Sequence, residues 1–319
     1  MSAGVGERTN GFLKASGYRL RMITVRAPAT SANLGSGFDV FGVALGRPAD
    51  VIQVEKAEET SIEVTGVGSR FIPEDPEGNT VGAVAKALDA PAHIRIDKGV
   101  RPASGLGSSA ASAAGAALAL NELYDRGYSR SDLVPIAAEG EELVSGEAHE
   151  DNVAPALLGG FTIAAGGDVG VTSVDARIPL VVCLPESVVS TRDARDVIPD
   201  TASLDELVNT VGMAATLAVG MCRDDPDLVG RGMHDEVVSP ARAALIDGYE
   251  AVRDAAIDAG ATGVTVSGAG PGVIAACYPG RRRAIASAMV EEFDERGVEC
   301  RAYQTAVGPG ATVHSSEAD

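Results

Sequence analysis

Gly105 and Gly107 stand two residues apart, are followed at once by Ser108 and Ser109, and lead into a run of small apolar residues from Ala110 to Leu120. A glycine-rich turn that feeds a long helix has a definite chemistry. The first turn of a helix leaves backbone N–H groups unpaired and carries the positive end of the helix dipole, so it attracts anions. Glycines ahead of it let the backbone close on a phosphate with no Cβ in the way. Serine hydroxyls add donors to phosphate oxygens and ligands for a hard cation such as Mg²⁺. The stretch Pro102, Ala103, Ser104, Gly105, Leu106, Gly107, Ser108, Ser109, Ala110, Ala111, Ser112 is therefore a candidate triphosphate cradle. It carries no Gly-Lys-Ser/Thr, the nearest upstream lysine being Lys98, and Gly-x-Gly-x-x-Gly fails at Ala110. As composition alone, the same residues also describe a Gly/Ser turn that merely caps a helix.

Other side chains could serve such a cradle. Mg²⁺ bound to a nucleotide draws one or two carboxylates from a protein, and Glu139, Glu141 and Glu142 form an acidic cluster, although such a run is ordinarily a solvated helix face. Asn33 and Asp39 lie six apart in a glycine-rich loop, where Asn can donate and accept and Asp can pair with an ammonium; turn chemistry alone also favours both. Arg195, with Thr191 four residues before it, and Arg242 could each clamp a carboxylate bidentately, although they are two arginines among 22. His149 reads as a substrate donor or as a structural hydrogen-bonder.

Four ordered segments resemble the GHMP kinases, the family of galactokinases, mevalonate kinases and the enzymes that phosphorylate homoserine. They are the loop from Pro102, the segment from Ala27 to Leu45 (APATSANLGSGFDVFGVAL), the segment from Gly146 to Phe161 (GEAHEDNVAPALLGGF) and the segment from Val266 to Ile274 (VSGAGPGVI). The second and third are most similar to the homoserine-phosphorylating branch. The resemblance implies an α+β, two-domain fold: an N-terminal ATP-binding domain over 22–175, like ribosomal protein S5 domain 2 with a left-handed β-α-β crossover, and a ferredoxin-like C-terminal domain over 176–310. A disordered extension over 1–21 and a tail over 311–319 complete the organisation. It implies ATP and Mg²⁺ as cofactors, Ser109 and Glu141 as metal ligands, and L-homoserine as the phosphoryl acceptor. It places Asn152 at the catalytic position where many members carry an aspartate, with Asp151 facing elsewhere. Asn33, Asp39, His149, Asn152, Thr191, Arg195 and Arg242 would line the amino-acid pocket. Glu150 stands where the family often has proline after the histidine. A shikimate or mevalonate type of kinase and a non-catalytic nucleotide-binding module are the alternatives; a homodimer is compatible with either.

The elements that must position these residues are readable in part. Strands are expected at 22–26, 51–55, 61–65, 93–97, 159–165, 169–173, 179–184, 261–267, 273–278 and 299–305. Helices are expected from Asn79 to about 88, over 108–124, from a Ser131 cap onward, and over 204–222, 243–259 and 281–296. Cys183, Cys222, Cys277 and Cys300 stand far apart, with no metal-ligand spacing. No apolar run approaches the roughly 20 residues of a membrane span and no secretory pattern opens the chain, so a cytoplasmic protein is expected. A net charge of −19 argues against nucleic acid as a partner. Only four of the 26 basic residues are lysines and tryptophan is absent, a composition suited to high salt. Surface carboxylates repel over about 10 Å at 0.1 M salt and about 3 Å at 1 M. The melting temperature is therefore expected to rise from dilute to molar KCl, and a flat or falling curve would contradict the halophilic reading.

Overall fold

The computed structural model describes residues 21–146, 148–166 and 170–314. The extension expected over 1–21 lies, except for Arg21, outside the described residues. The first sheet is built from β1 (Met22–Ala32), β2 (Phe41–Lys56) and β3 (Ser61–Gly66). After α1 (Thr80–Ala87) come β4 (Ala92–Lys98), α2 (Ser108–Tyr124), α3 (Arg130–Ser145), α4 (Glu150–Leu158), β5 (Phe161–Ala164) and β6 (Val171–Val174). The second half runs β7 (Pro179–Pro185), α5 (Thr191–Asp196), α6 (Leu204–Arg223), α7 (Pro226–Gly232), α8 (Val238–Ala243) and α9 (Tyr249–Asp258). It continues through β8 (Ala261–Val266), β9 (Val273–Cys277), α10 (Arg282–Glu295), β10 (Cys300–Ala306) and β11 (Thr312–His314).

The first sheet has the order β11-β1-β2-β4-β3, with β5 and β6 continuing from β2. Strands β3 and β4 pair in parallel with α1 between them. Helices α1 to α4 supply the apolar layer over this sheet. Helix α2 sits deepest. Its alanines combine the highest helix propensity with little bulk, and a Cβ on Gly115 would come within 2.5 Å of Ile52 on β2. The second sheet is antiparallel, with the order β10-β7-β9-β8. That is the strand order of the ferredoxin-like unit, with extra helices inserted between its first and second strands. A shared apolar cluster, including Leu34, Phe41, Phe161, Leu180, Leu217 and Ile274, joins the two halves. Among the described residues no helix is long and apolar enough to cross a membrane.

Some expectations need correction. Ser129, not Ser131, caps α3: its hydroxyl accepts from the Asp132 N–H while the Asp132 carboxylate accepts from the Ser129 N–H. The helix expected over 243–259 starts only at Tyr249, because 244–248 form turns that end on Gly248 with a left-handed φ of 78°. Short helices α5, α7 and α8 are additional to those expected; Ser190 and Asp225 cap the first two. The segment expected to be a tail from 311 contains β11, which pairs with β1 in the register Thr24↔His314 to Arg26↔Thr312. Alternation over three residues is too short a signal to separate such a strand from a frayed end.

Candidate active site

A cleft of about 300 Å³ lies where the two halves meet. Every residue expected at the metal, phosphate and acceptor sites borders it except Leu106, Ala110 and Ala111, which are buried in the apolar layers beneath; Glu139 and Glu142 of the acidic cluster do not. The loop ahead of α2 turns on positive φ at Ala103, Gly105 and Gly107. Two of its glycines are dictated by neighbours as well as by angle. A Cβ on Gly105 would strike the Ser267 carbonyl oxygen at 2.3 Å, and one on Gly107 would strike Thr30 Oγ1 at 2.0 Å. The turn between β8 and β9 braces this loop, since Ser267 Oγ donates to the Gly105 carbonyl at 2.7 Å.

No side chain caps α2 at Gly107, so its first N–H groups stay available at the cleft. The loop serines divide their work. Ser104 and Ser108 donate to the carbonyls of Arg101 and Val100 at 2.6 and 2.8 Å, and Ser112 donates to Asp50 at 2.9 Å. Ser109 instead hydrogen-bonds Glu141.

Glu141 projects from α3 and is 1% exposed, whereas Glu139 and Glu142 are exposed. Burial pushes its carboxyl up to about 7, with the Asp151 charge adding to this and the Ser109 hydrogen bond opposing it. Asp151 was expected to face elsewhere. It borders the cleft, is buried, and is raised to about 7 by burial and then by the Asp39 charge. Both carboxyls hold a proton more tightly folded than unfolded. The stability they contribute is whole below their unfolded values near 4 and is lost as pH rises through about 7. A shift of the Glu141 kind corresponds to on the order of 3 kcal/mol. In metal-free buffer, Glu141→Gln is thus expected to flatten the fall in melting temperature between pH 5 and 8; an unchanged fall would show that Glu141 does not titrate in this range.

The N-terminus of α4 carries His149 at its cap position, then Asp151 and Asn152. Asn152 Oδ1 accepts from Thr30 Oγ1 at 2.9 Å and its Nδ2 donates to Asp151 Oδ1 at 3.3 Å. Across the cleft, Asn33 and Asp39 both adopt left-handed backbone, and Asn33 Oδ1 accepts from the Asp39 N–H at 3.0 Å. Asp39 pairs with Arg195 of α5 at 2.6 Å. Arg242 of α8 is buried and donates to the carbonyls of Ala194 and Gly268 at 3.2 and 2.8 Å. Both guanidiniums sit over the Phe38 ring, at 5.2 Å for Arg195 and 5.1 Å for Arg242. Thr191 starts α5 at the cleft edge.

Sequence reasoning passed over Phe38 and a buried cluster behind the loop. Lys98 Nζ donates to Asp50, to the Ser108 carbonyl at 2.7 Å and to Ser112 Oγ at 2.9 Å. Burial lowers the Lys98 ammonium from its usual range, against the pull of Asp50. A signal existed: Lys98 continues the buried phase of Ile94 and Ile96 on β4, where a lone charge needs a partner.

Family models described as the GHMP kinases N terminal domain and the GHMP kinases C terminal match residues 79–160 and 217–295. The chain is 72% identical over 292 residues to a homoserine kinase of Haloarcula marismortui, covering 92% of this chain and all of the relative. It is 73% identical over 292 residues to a homoserine kinase of Natronomonas pharaonis, with the same coverage. Among solved structures, a homoserine kinase from Cytophaga hutchinsonii is similar with a TM-score of 0.84 and 36% identity, over 92% of this chain and 98% of that one. A mevalonate kinase from L. major shares the fold with a TM-score of 0.69 and 15% identity, over 89% and 95% of the two chains.

Proposed function

The chain belongs to the GHMP kinases, and on that premise we propose that it is a homoserine kinase, transferring the γ-phosphoryl group of ATP to the side-chain hydroxyl of L-homoserine, a step of threonine synthesis. One observation carries the substrate reading beyond sequence identity. A carboxylate, Asp39, and two guanidiniums, Arg195 and Arg242, converge on Phe38 in the same cleft as the uncapped start of α2. An amino acid needs both a cation clamp and an anion partner, and a phosphate donor needs the helix end.

Arg195, Arg242 and Thr191 hold the substrate carboxylate, and Asp39 with Asp151 faces its ammonium. Asn33 spends its amide oxygen on the Asp39 N–H, so it offers the cleft N–H donors, which suit a substrate oxygen and not the ammonium. His149 donates at the substrate's polar end. The Pro102–Ser112 loop and the first N–H groups of α2 cradle the triphosphate. The donor set of Ser109 and Glu141 fits Mg²⁺, which favours hard oxygen ligands, and a buried carboxylate at raised pKa is what a bound cation would ionise. Bound there with ATP, Mg²⁺ supplies neutralisation of charge on the transferring phosphoryl group. Asn152 orients the hydroxyl. No side-chain base is required of it: phosphoryl transfer passes through a loose transition state, so positioning and charge neutralisation dominate.

A panel of L-homoserine, mevalonate and shikimate with ATP and Mg²⁺ tests the reading. Homoserine is expected to turn over far faster, because the two alcohols leave Asp39 and Asp151 facing no ammonium. Equal use of all three would reduce the assignment to a generic small-molecule kinase, and no ATP consumption with any of them would leave a binding module.

A further inference from the structure

Phe38 stands between Gly37 and Asp39 in the loop that joins β1 to β2. Its apolar neighbours Leu34, Val40 and Phe41 pack into the cluster that joins the two halves, and Phe38 does not. Nor does it border the cleft, although Asp39, Arg195 and Arg242 do. A half-buried phenyl ring that fills neither a core nor a binding surface needs another use. The groups that lie over it are two guanidiniums, with the Cζ of Arg242 at 5.1 Å and that of Arg195 at 5.2 Å from the ring centre.

The loop is built to hold that ring in place. Asn33, Leu34 and Asp39 take left-handed φ values of 70°, 51° and 56°, a conformation that residues with a side chain keep only where their surroundings fix it. The second half does the fixing. Ser36 Oγ donates to the Gly232 carbonyl at the end of α7 at 2.6 Å, and a Cβ on Gly35 would strike the Met233 carbonyl oxygen at 1.9 Å. The arginines, for their part, are two like charges brought together. Burial lowers the Arg242 guanidinium from its ordinary range; Asp39 pulls against this, and the Arg195 charge adds to it. The Asp39 carboxylate is paired with Arg195, and Arg242 donates to carbonyls instead. The face of an aromatic ring is negative and attracts a guanidinium, the more so where water is excluded. Phe38 offers that face to both cations, without the formal charge that would compete with an incoming carboxylate.

Resting on the homoserine reading above, we propose that Phe38 is a positioning residue of the acceptor site: its ring gathers Arg195 and Arg242, which come from separate helices, and holds both in line for the substrate carboxylate before it arrives. The ring belongs to the first half and the arginines to the second, so the contact also fixes the clamp relative to Asp39, the next residue along. An α-amino acid carries its carboxylate and ammonium on one carbon, and binding both at once demands partners held at a set spacing. Phe38 and Asp39 set that spacing from a single backbone segment.

Steady-state kinetics of the full chain in molar KCl tests this. Phe38→Leu should raise KM for homoserine by about tenfold or more, because two cation–π contacts are lost. The effect falls on KM because the carboxylate is held alike in ground and transition states, so kcat and KM for ATP should each stay within about threefold. Phe38→Tyr keeps a ring face and should hold KM for homoserine within about threefold of the wild type. Phe38→Leu also removes bulk, so the deciding arm keeps it. Pentafluorophenylalanine incorporated at position 38 has nearly the same shape with the charge of its face reversed, and it should raise KM for homoserine at least as much as leucine does. A KM unmoved by the fluorinated ring would make Phe38 a packing residue and overturn the proposal. An unchanged KM in Phe38→Leu would also overturn it, as would a loss shared equally by homoserine and ATP. A wild type that does not phosphorylate homoserine would overturn the substrate reading and the proposal with it; wild-type turnover with a KM indifferent to fluorination overturns the proposal alone.

Discussion

Arg242→Ala is expected to lower kcat/KM for homoserine by about 30-fold to several thousand-fold, with KM for ATP held within about threefold. The range corresponds to the roughly 2–5 kcal/mol lost when one member of a buried charged pair is removed. Arg242 lies at the junction of three elements: it rises from α8, donates to the Ala194 carbonyl on α5 and to Gly268 in the β8–β9 turn, and covers Phe38. Its loss therefore removes a cation from the proposed carboxylate site and also loosens α5, which carries Arg195. Arg242→Lys separates the two. Lysine keeps the charge but not the planar fork that reaches two carbonyls, so it should recover less than a tenth of the loss if geometry decides. Asp39→Asn should weaken homoserine comparably, because Arg195 loses its partner and the ammonium loses its anion. Steady-state kinetics with each substrate varied at saturating levels of the other checks both. An unchanged kcat/KM for homoserine in Asp39→Asn would end the amino-acid assignment.

Glu141→Gln and Ser109→Ala are expected to lower kcat by about 100-fold or more and about tenfold or more, respectively, since metal-borne charge stabilisation is worth several kcal/mol. The buried position of Glu141 is the reason to choose it over its neighbours, which point to solvent. Glu139→Gln should change kcat by less than about twofold. The Mg²⁺ concentration for half-maximal activity should rise in Glu141→Gln and stay put in Glu139→Gln. In the wild type it should fall as pH rises through about 7, because ionisation of Glu141 is what the cation needs. Equal losses from Glu139→Gln and Glu141→Gln would show that the carboxylate was wrongly chosen.

What the sequence yields and what it withholds divides along the range of the interactions. Helix α2 is expected over 108–124 and found as Ser108–Tyr124, because glycines before it and alanines within it act locally. The late start of α9 after Gly248 is also local, since Asp247-Gly248 is a turn signal. Asp39 and Arg195, by contrast, stand 156 residues apart, and nothing in either neighbourhood specifies the other. Arg242 is one of 22 arginines, and its burial follows from packing between α5 and the β8–β9 turn. Asp151 was set aside for Asn152 on resemblance alone, yet consecutive residues in the first turn of a helix are about 100° apart, close enough for both to border one cleft. The order of the second sheet's strands rests on non-local pairing that alternation cannot reveal.

The return of β11 to β1 changes the mechanics of the molecule. The half that holds the second sheet is an insertion in the first, entered through residues 174–179 and left through 306–312. The two passages are stitched to each other, since the Val307 N–H donates to the Ile178 carbonyl at 3.0 Å. A unit held on one linker can swivel about it; one held on two passages hydrogen-bonded to each other, with the Gly308 N–H also donating to the Ala44 carbonyl on β2, resists torsion. Through these ties Arg195 and Arg242, borne by the second half, are held in register with the phosphate loop borne by the first.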